Sequence, residues 1–224
     1  MPREDAAVPR VRDRLAAALL DALDVVVPVA CVGCGGPGRT VCAGCRPAFV
    51  PRVHLAARVG VAAWAAARYE GPVAGAIARF KDAGRTDAEG ALAPMLGASI
   101  GAALAVLPPG PPAELVAVPS TRAAVAARGY RPVHRLLAAQ GLRAAPVLRA
   151  AARPDQVGLG AGARARNVAG TLTARRELAG RRFLLVDDIL TTGATAEEAV
   201  RAITAAGGSV PAVAVLAETP LRIS

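Results

Sequence analysis

A four-residue apolar run, residues 183–186 (Phe-Leu-Leu-Val), leads straight into Asp187-Asp188, then Ile189-Leu190, Thr191-Thr192-Gly193-Ala194-Thr195 and a helical stretch holding Glu197 and Glu198. An uninterrupted apolar run of that length, rich in branched side chains, reads as a strand buried on both faces, and such strands belong to parallel sheets covered by helices. The two carboxylates are then expected at the strand's carboxyl end, where open α/β sheets bind their ligands. Each later residue has a role in that reading. Backbone N–H groups of the loop, the hydroxyls of Thr191, Thr192 and Thr195, and the dipole of the following helix make a cradle for a phosphate dianion. Paired carboxylates beside it suit vicinal sugar hydroxyls or the water shell of Mg2+. The bland alternative, two aspartates that merely end a strand and a threonine that caps a helix, leaves two charges to be desolvated without a partner. Together the parts suggest a sugar 5-phosphate.

The rest of the chain supplies the sheet. A strand-like start within 59–68 precedes a helix over 71–81 and an alanine-rich helix over about 91–106. Next come a short strand over 115–118 stopped by Pro119, helices around 123–127 and 133–140, and a short strand at Val147-Leu148. Residues 153–166 are polar, glycine-rich and without period, so they read as a long loop, and loops of that length inside a compact domain are usually functional or disordered. A strand over 168–173, the strand 183–186, a helix over 194–206 stopped by Gly207-Gly208, and a last strand over 210–216 complete the series. Strands alternating with helices give βαβ units and a mainly parallel sheet flanked by helices, the α/β class.

All four cysteines lie in one short stretch, as Cys31-x2-Cys34 and Cys42-x2-Cys45. Two such knuckles place four thiolates on a tetrahedron around Zn2+, with no open position for metal chemistry. The alternatives are two disulfides, disfavoured without a secretory signal, and an iron–sulfur site. The zinc reading gives a small structural module over 28–52, a zinc-ribbon-like unit folded by its metal. A helix over residues 11–23 precedes it, within an amino-terminal segment 1–27, and the α/β body takes residues 53–224. Asp13, Asp21 and Asp24 interrupt the apolar stretch a secretory signal would need. The uncharged run 91–112 is short of a bilayer-spanning core of roughly 20 strongly apolar residues. A buried helix, no membrane insertion and a cytoplasmic location are therefore expected.

The chain has 224 residues and a net charge of +10 from 27 basic side chains, of which only Lys81 is lysine. Such a charge raises the prospect of a polyanion partner. The arginines are spread along the whole sequence, however, so the charge alone does not argue for nucleic acid. The lone lysine marks a position where a compact ammonium suits better than a planar fork. His54 and His134 read as structural or surface residues.

At residues 183–195 the chain resembles the type I phosphoribosyltransferases, whose fingerprint for 5-phosphoribosyl-1-pyrophosphate (PRPP) is an apolar strand, two acids, two apolar residues and a Thr-Thr-Gly-x-Thr loop; every position is satisfied. With its four-cysteine module it is similar to the ComF (GntX-type) family, linked to competence and DNA uptake. Supporting segments are Tyr69-Glu70-Gly71-Pro72, Phe80-Lys81, Val118-Pro119 with Arg122, Arg128-Gly129-Tyr130, and Gln156-x-Gly158-Leu159 with Arg164, Arg166, Asn167 and Val168. The chain departs from that family where Arg131-Pro132 replace Asn-Gln, and in a basic cluster thinned to Arg164 and Arg166.

The resemblance implies a PRPP site built from Val186, Asp187, Asp188, Ile189, Leu190, Thr191, Thr192, Gly193, Ala194 and Thr195. Asp187, Asp188 and Lys81 would act on the reacting sugar. Lys81, Arg122, Arg128, Gln156, Arg164 and Arg166 are candidates for the pyrophosphate, with Mg2+ bridging ligand oxygens and Zn2+ structural. The expected activity is phosphoribosyl transfer to an unidentified acceptor. The other reading is a non-catalytic PRPP-binding protein acting on single-stranded DNA, for which 3% aromatic residues leave few stacking platforms. A homo-oligomer stays open.

Overall fold

The structure is a computed structural model and describes residues 29–57, 59–150 and 169–220. The expected helix over 11–23, the loop 153–166 and, with it, Gln156, Arg164 and Arg166 lie outside the described residues. A two-residue hairpin, β1 (Val29–Ala30) and β2 (Pro37–Gly38), opens the described chain, and a 3-10 turn, Arg46–Phe49, follows the second cysteine pair. Then come β3 (His54–Ala56), β4 (Ala62–Arg68), α1 (Gly71–Asp82), the 3-10 turn Thr86–Ala88 and α2 (Glu89–Ala105). They lead into β5 (Glu114–Ala117), α3 (Arg122–Arg128), α4 (Pro132–Ala138) and a small pair, β6 (Leu148–Ala150) with β7 (Leu172–Ala174). The chain closes with β8 (Arg182–Leu190), α5 (Ala194–Thr204) and β9 (Ser209–Glu218).

Five strands form one sheet in the order β3-β4-β9-β8-β5. β4, β9, β8 and β5 are mutually parallel and β3 is an antiparallel edge. The mainly parallel α/β class read from the sequence is therefore observed. Strand side chains alternate between faces, and the inner strands use both. Leu184 and Val186 of β8, with Ala212, Ala214 and Leu216 of β9, join one core with α1, α2 and α4. Phe183, Leu185, Val213 and Val215 join the other with α5 and β6–β7. Burying one such leucine stabilises the fold by about 1.5–3 kcal/mol, so the two inner strands anchor everything at their carboxyl ends.

α2 covers the first of these cores with Leu92, Met95, Leu96 and Ile100, as expected of a buried helix. It is the one described helix with the length and composition of a membrane span. Pro94 lies inside it but on the exposed side, opposite the packed residues, and Gly90 four residues earlier is exposed too. The carbonyl that a proline deprives of its partner thus meets water.

Two expectations need correction. The strand over 183–186 does not stop before the aspartates but runs on to Leu190, because β9 extends to Glu218 and pairs Asp187 with Val215, Ile189 with Ala217 and Leu190 with Glu218. A ladder to a long neighbour outweighs the poor strand propensity of aspartate. The strand anticipated over 168–173 is shorter and later, Leu172–Ala174, held as the partner of β6. Three short pieces, β1, β2 and β3, gave no periodic signal at all.

Candidate functional site

The parallel strands all end at one edge of the sheet, and the chain crosses that edge between β8 and α5. Leu190 is tied down by its carbonyl, which accepts from the Thr219 N–H at 3.0 Å. Thr191 and Thr192 are exposed, while Gly193 is buried and turns the chain with φ of 87°. That left-handed conformation is open to glycine and strained for other residues. Glu197 N then bonds the Gly193 carbonyl at 2.9 Å, and an eleven-residue helix begins. The Ala194 N–H faces Thr192 Oγ1 at 3.4 Å. The result is a loop of amides and hydroxyls at the positive end of a helix dipole, suited to an anion.

Asp187 and Asp188 lie in β8, separated from this loop by Ile189 and Leu190. Lys81 reaches Asp188 from the last turn of α1, with Nζ 3.2 Å from Oδ1 and 3.0 Å from Oδ2. Asp187 accepts the Asp188 N–H at 2.8 Å. Burial and the neighbouring Asp188 charge push the Asp187 carboxyl up to about 8, against the opposing pull of the Asp188 N–H and the Lys81 ammonium. Two carboxylates thus share one nearby ammonium among the described residues. With a single ammonium beside it, such a pair is suited to sugar hydroxyls or a hydrated Mg2+.

α1 reaches this point because its two ends are fixed at different strands. It starts just after β4, whose last residue, Arg68, is in register with Glu218 of β9, and ends against β8 on the far side of β9. The segment Arg128-Gly129-Tyr130 holds that end. Arg128 pairs with Asp82 at 3.1 Å, Tyr130 donates its hydroxyl to the Phe80 carbonyl, and the two rings pack with centroids 5.4 Å apart. Arg128 is therefore engaged with α1. Arg122 is exposed in the first turn of α3, whose Thr121 side chain accepts from Ala124 N at 3.2 Å. Of the cations proposed for the pyrophosphate, Lys81 meets an aspartate directly and Arg128 lies beside it in the same corner.

Two neighbours of the site had no sequence signal. His54 Nε2 lies 2.8 Å from Oε1 of Glu218, the buried last residue of β9. Glu198, also buried, accepts from Leu172 N at 2.9 Å and from Arg201 at 2.6 Å, so the helix carrying the loop is tied to β7. The Arg201 guanidinium beside it, helped by backbone N–H groups and opposed by burial, holds the Glu198 carboxyl down at about 2.

The four cysteines gather as their spacing requires. All four sulfurs lie within 4.8 Å of one another, with Cys34 and Cys42 at 3.8 Å. Zinc–sulfur bonds of about 2.3 Å put tetrahedral sulfurs about 3.8 Å apart, so this cluster fits a metal such as Zn2+. Burial works against the Cys31 thiolate, but N–H groups of Cys42, Cys34 and Gly33 directed at its sulfur hold it at about 6. Cys45 is pushed up to about 12 by burial and its three neighbouring sulfurs.

A strand, two acids, an amide loop and a helix meet at one sheet edge, an arrangement suited to a phosphate beside hydroxyls. Residues 123–222 match the phosphoribosyl transferase domain. No curated protein shows significant similarity to the chain. The matched phosphoribosyl transferase domain spans β8, the aspartate pair, the Thr/Gly loop, α5 and β9, and supports a type I phosphoribosyltransferase-like protein. Lys81, α1 and the four-cysteine cluster precede the matched stretch, so they join the phosphoribosyl transferase domain through packing.

Proposed function

We propose that the protein binds PRPP with Mg2+ at the carboxyl end of β8 and transfers its phosphoribosyl group to an acceptor. The observation that carries this is the position of Asp187-Asp188 near the carboxyl end of β8, with only Ile189 and Leu190 between them and the Thr191–Thr195 loop at the amino end of α5, within the stretch that matches the phosphoribosyl transferase domain. In this reading the amides of the loop hold the 5-phosphate. Asp187 and Asp188 accept hydrogen bonds from the ribose hydroxyls. Lys81 keeps the acidic pair from repelling the anionic ligand. Mg2+, when bound, neutralises pyrophosphate oxygens and eases their departure.

Transfer breaks the bond between C1 and a pyrophosphate oxygen, and that bond's electron pair leaves with the pyrophosphate. A lone pair on the acceptor forms the new bond to C1, and the acceptor gives up a proton. Positive charge builds on the sugar ring between these events, and the Asp188 carboxylate, fixed by Lys81, stabilises it electrostatically. The deciding experiment incubates the protein with PRPP, Mg2+ and a panel of bases and amines while pyrophosphate is measured. Acceptor-dependent release is expected. Binding of PRPP with no release for any acceptor would turn the reading into a ligand sensor.

A further inference from the structure

The four-cysteine cluster and the aspartate pair sit at opposite ends of a continuous chain of contacts. Two peptide groups of the first knuckle begin it. The first joins Val32 to Gly33 and the second Gly33 to Cys34. The carbonyls of those same two peptide units belong to Val32 and Gly33, and both accept from Nη1 of Arg79, at 2.8 and 2.9 Å. Arg79 thus holds the backbone between Cys31 and Cys34 by two hydrogen bonds. A shift of that backbone moves the guanidinium with it.

Arg79 is two residues from Lys81, which pairs with Asp188 at 3.0 Å. The Arg79 carbonyl also accepts from Ala83 N and Arg85 N, both at 3.1 Å, and Arg85 Nη2 returns to the Ala30 carbonyl at 2.6 Å, one residue before Cys31. The helix end that carries Lys81 is therefore pinned to the knuckle on both sides. There is no slack between them: a Cβ on Gly75 of α1 would stand 2.3 Å from the Gly33 oxygen.

We infer that Arg79 is a positioning residue linking the four-cysteine cluster to the ligand site, so that metal occupancy of the cysteines sets the affinity for PRPP through Lys81 and Asp188. This rests on the PRPP reading above. Linkage makes the effect reciprocal: PRPP tightens metal binding by the factor that metal tightens PRPP binding.

The test uses the full chain loaded with Zn2+, as wild type, Arg79→Ala and Arg79→Lys. Calorimetry with PRPP and Mg2+ is expected to show binding weakened by roughly 10-fold in Arg79→Ala, within the usual range of such couplings. Arg79→Lys, which keeps a donor, recovers part of it. Competition with a chromogenic chelator should show PRPP strengthening zinc retention in wild type and not in Arg79→Ala. Amide exchange of Ala83 and Arg85 should quicken in Arg79→Ala at unchanged zinc content, with α5 unaffected. An Arg79→Ala protein that keeps its zinc and matches wild type in PRPP affinity, chelator competition and exchange would overturn the inference. If wild type fails to bind PRPP, the reading of the site falls, and the exchange rates alone decide whether the link exists.

Discussion

Asp187 and Asp188 fill adjacent positions in one strand, yet among the described residues only Asp188 has a cation at hydrogen-bond distance. Asp187, pushed up to about 8, keeps its proton in the folded chain through a range where the unfolded chain has lost it. Its contribution to stability is complete below about pH 4 and falls as pH rises to about 8. Chemical denaturation of the ligand-free protein across that window should therefore show a decline that Asp187→Asn flattens. Glu198 has the opposite sign. Held down at about 2, it stabilises the fold above about pH 4.5 and loses that contribution as pH falls toward 2. Glu198→Gln should cost about 1–3 kcal/mol at neutral pH, since it weakens charge-assisted bonds to Arg201 and Leu172 N, and urea unfolding measures it. Lys81 is the one lysine among 27 basic residues, and its contact with Asp188 gives that exception a physical reason. The arginine candidates could not be separated in the same way, because a uniform arginine bias removes the contrast between site and surface.

At the scale of elements, the strand–loop–helix unit was the most legible part of the chain, since buried apolar residues, Gly193 and the acidic first turn of α5 each leave a local mark. Gly193→Ala should cost about 1–2 kcal/mol from the left-handed backbone alone. A larger loss of phosphate affinity is expected, because the loop amides would turn away; thermal unfolding and phosphate titration separate the two effects. Helices α1 and α2 were also legible, by length and periodicity. β3 was not, because three residues on an antiparallel edge carry too little pattern and are specified by β4. Nor was the run of β8 past Asp188, which depends on a partner 28 residues on, Glu218 opposite Leu190. Tertiary pairing of that kind is invisible to local propensity. Leu185→Ala, at the buried centre of the sheet, should lose about 2–5 kcal/mol in the same unfolding assay.

Across the whole molecule, the cysteine module and the sheet share one core: Val32, between the first two cysteines, is fully buried in the cluster that holds α1, α2 and the faces of β8 and β9. The spacing of the cysteines announced a metal site, but nothing in it announced that its peptide carbonyls would bind Arg79. Arg85, Arg128, Arg181 and Arg201 each pair with a carboxylate of the chain itself, so these four of the 27 basic side chains serve internal structure. The central claim concerns the edge where β8 meets α5. Titration calorimetry of PRPP with Mg2+ into wild type and into the Asp187→Asn, Asp188→Asn double variant tests it most directly. The expected result is binding by wild type and none by the double variant, with circular dichroism unchanged. Equal binding by both proteins would contradict the assignment of the site.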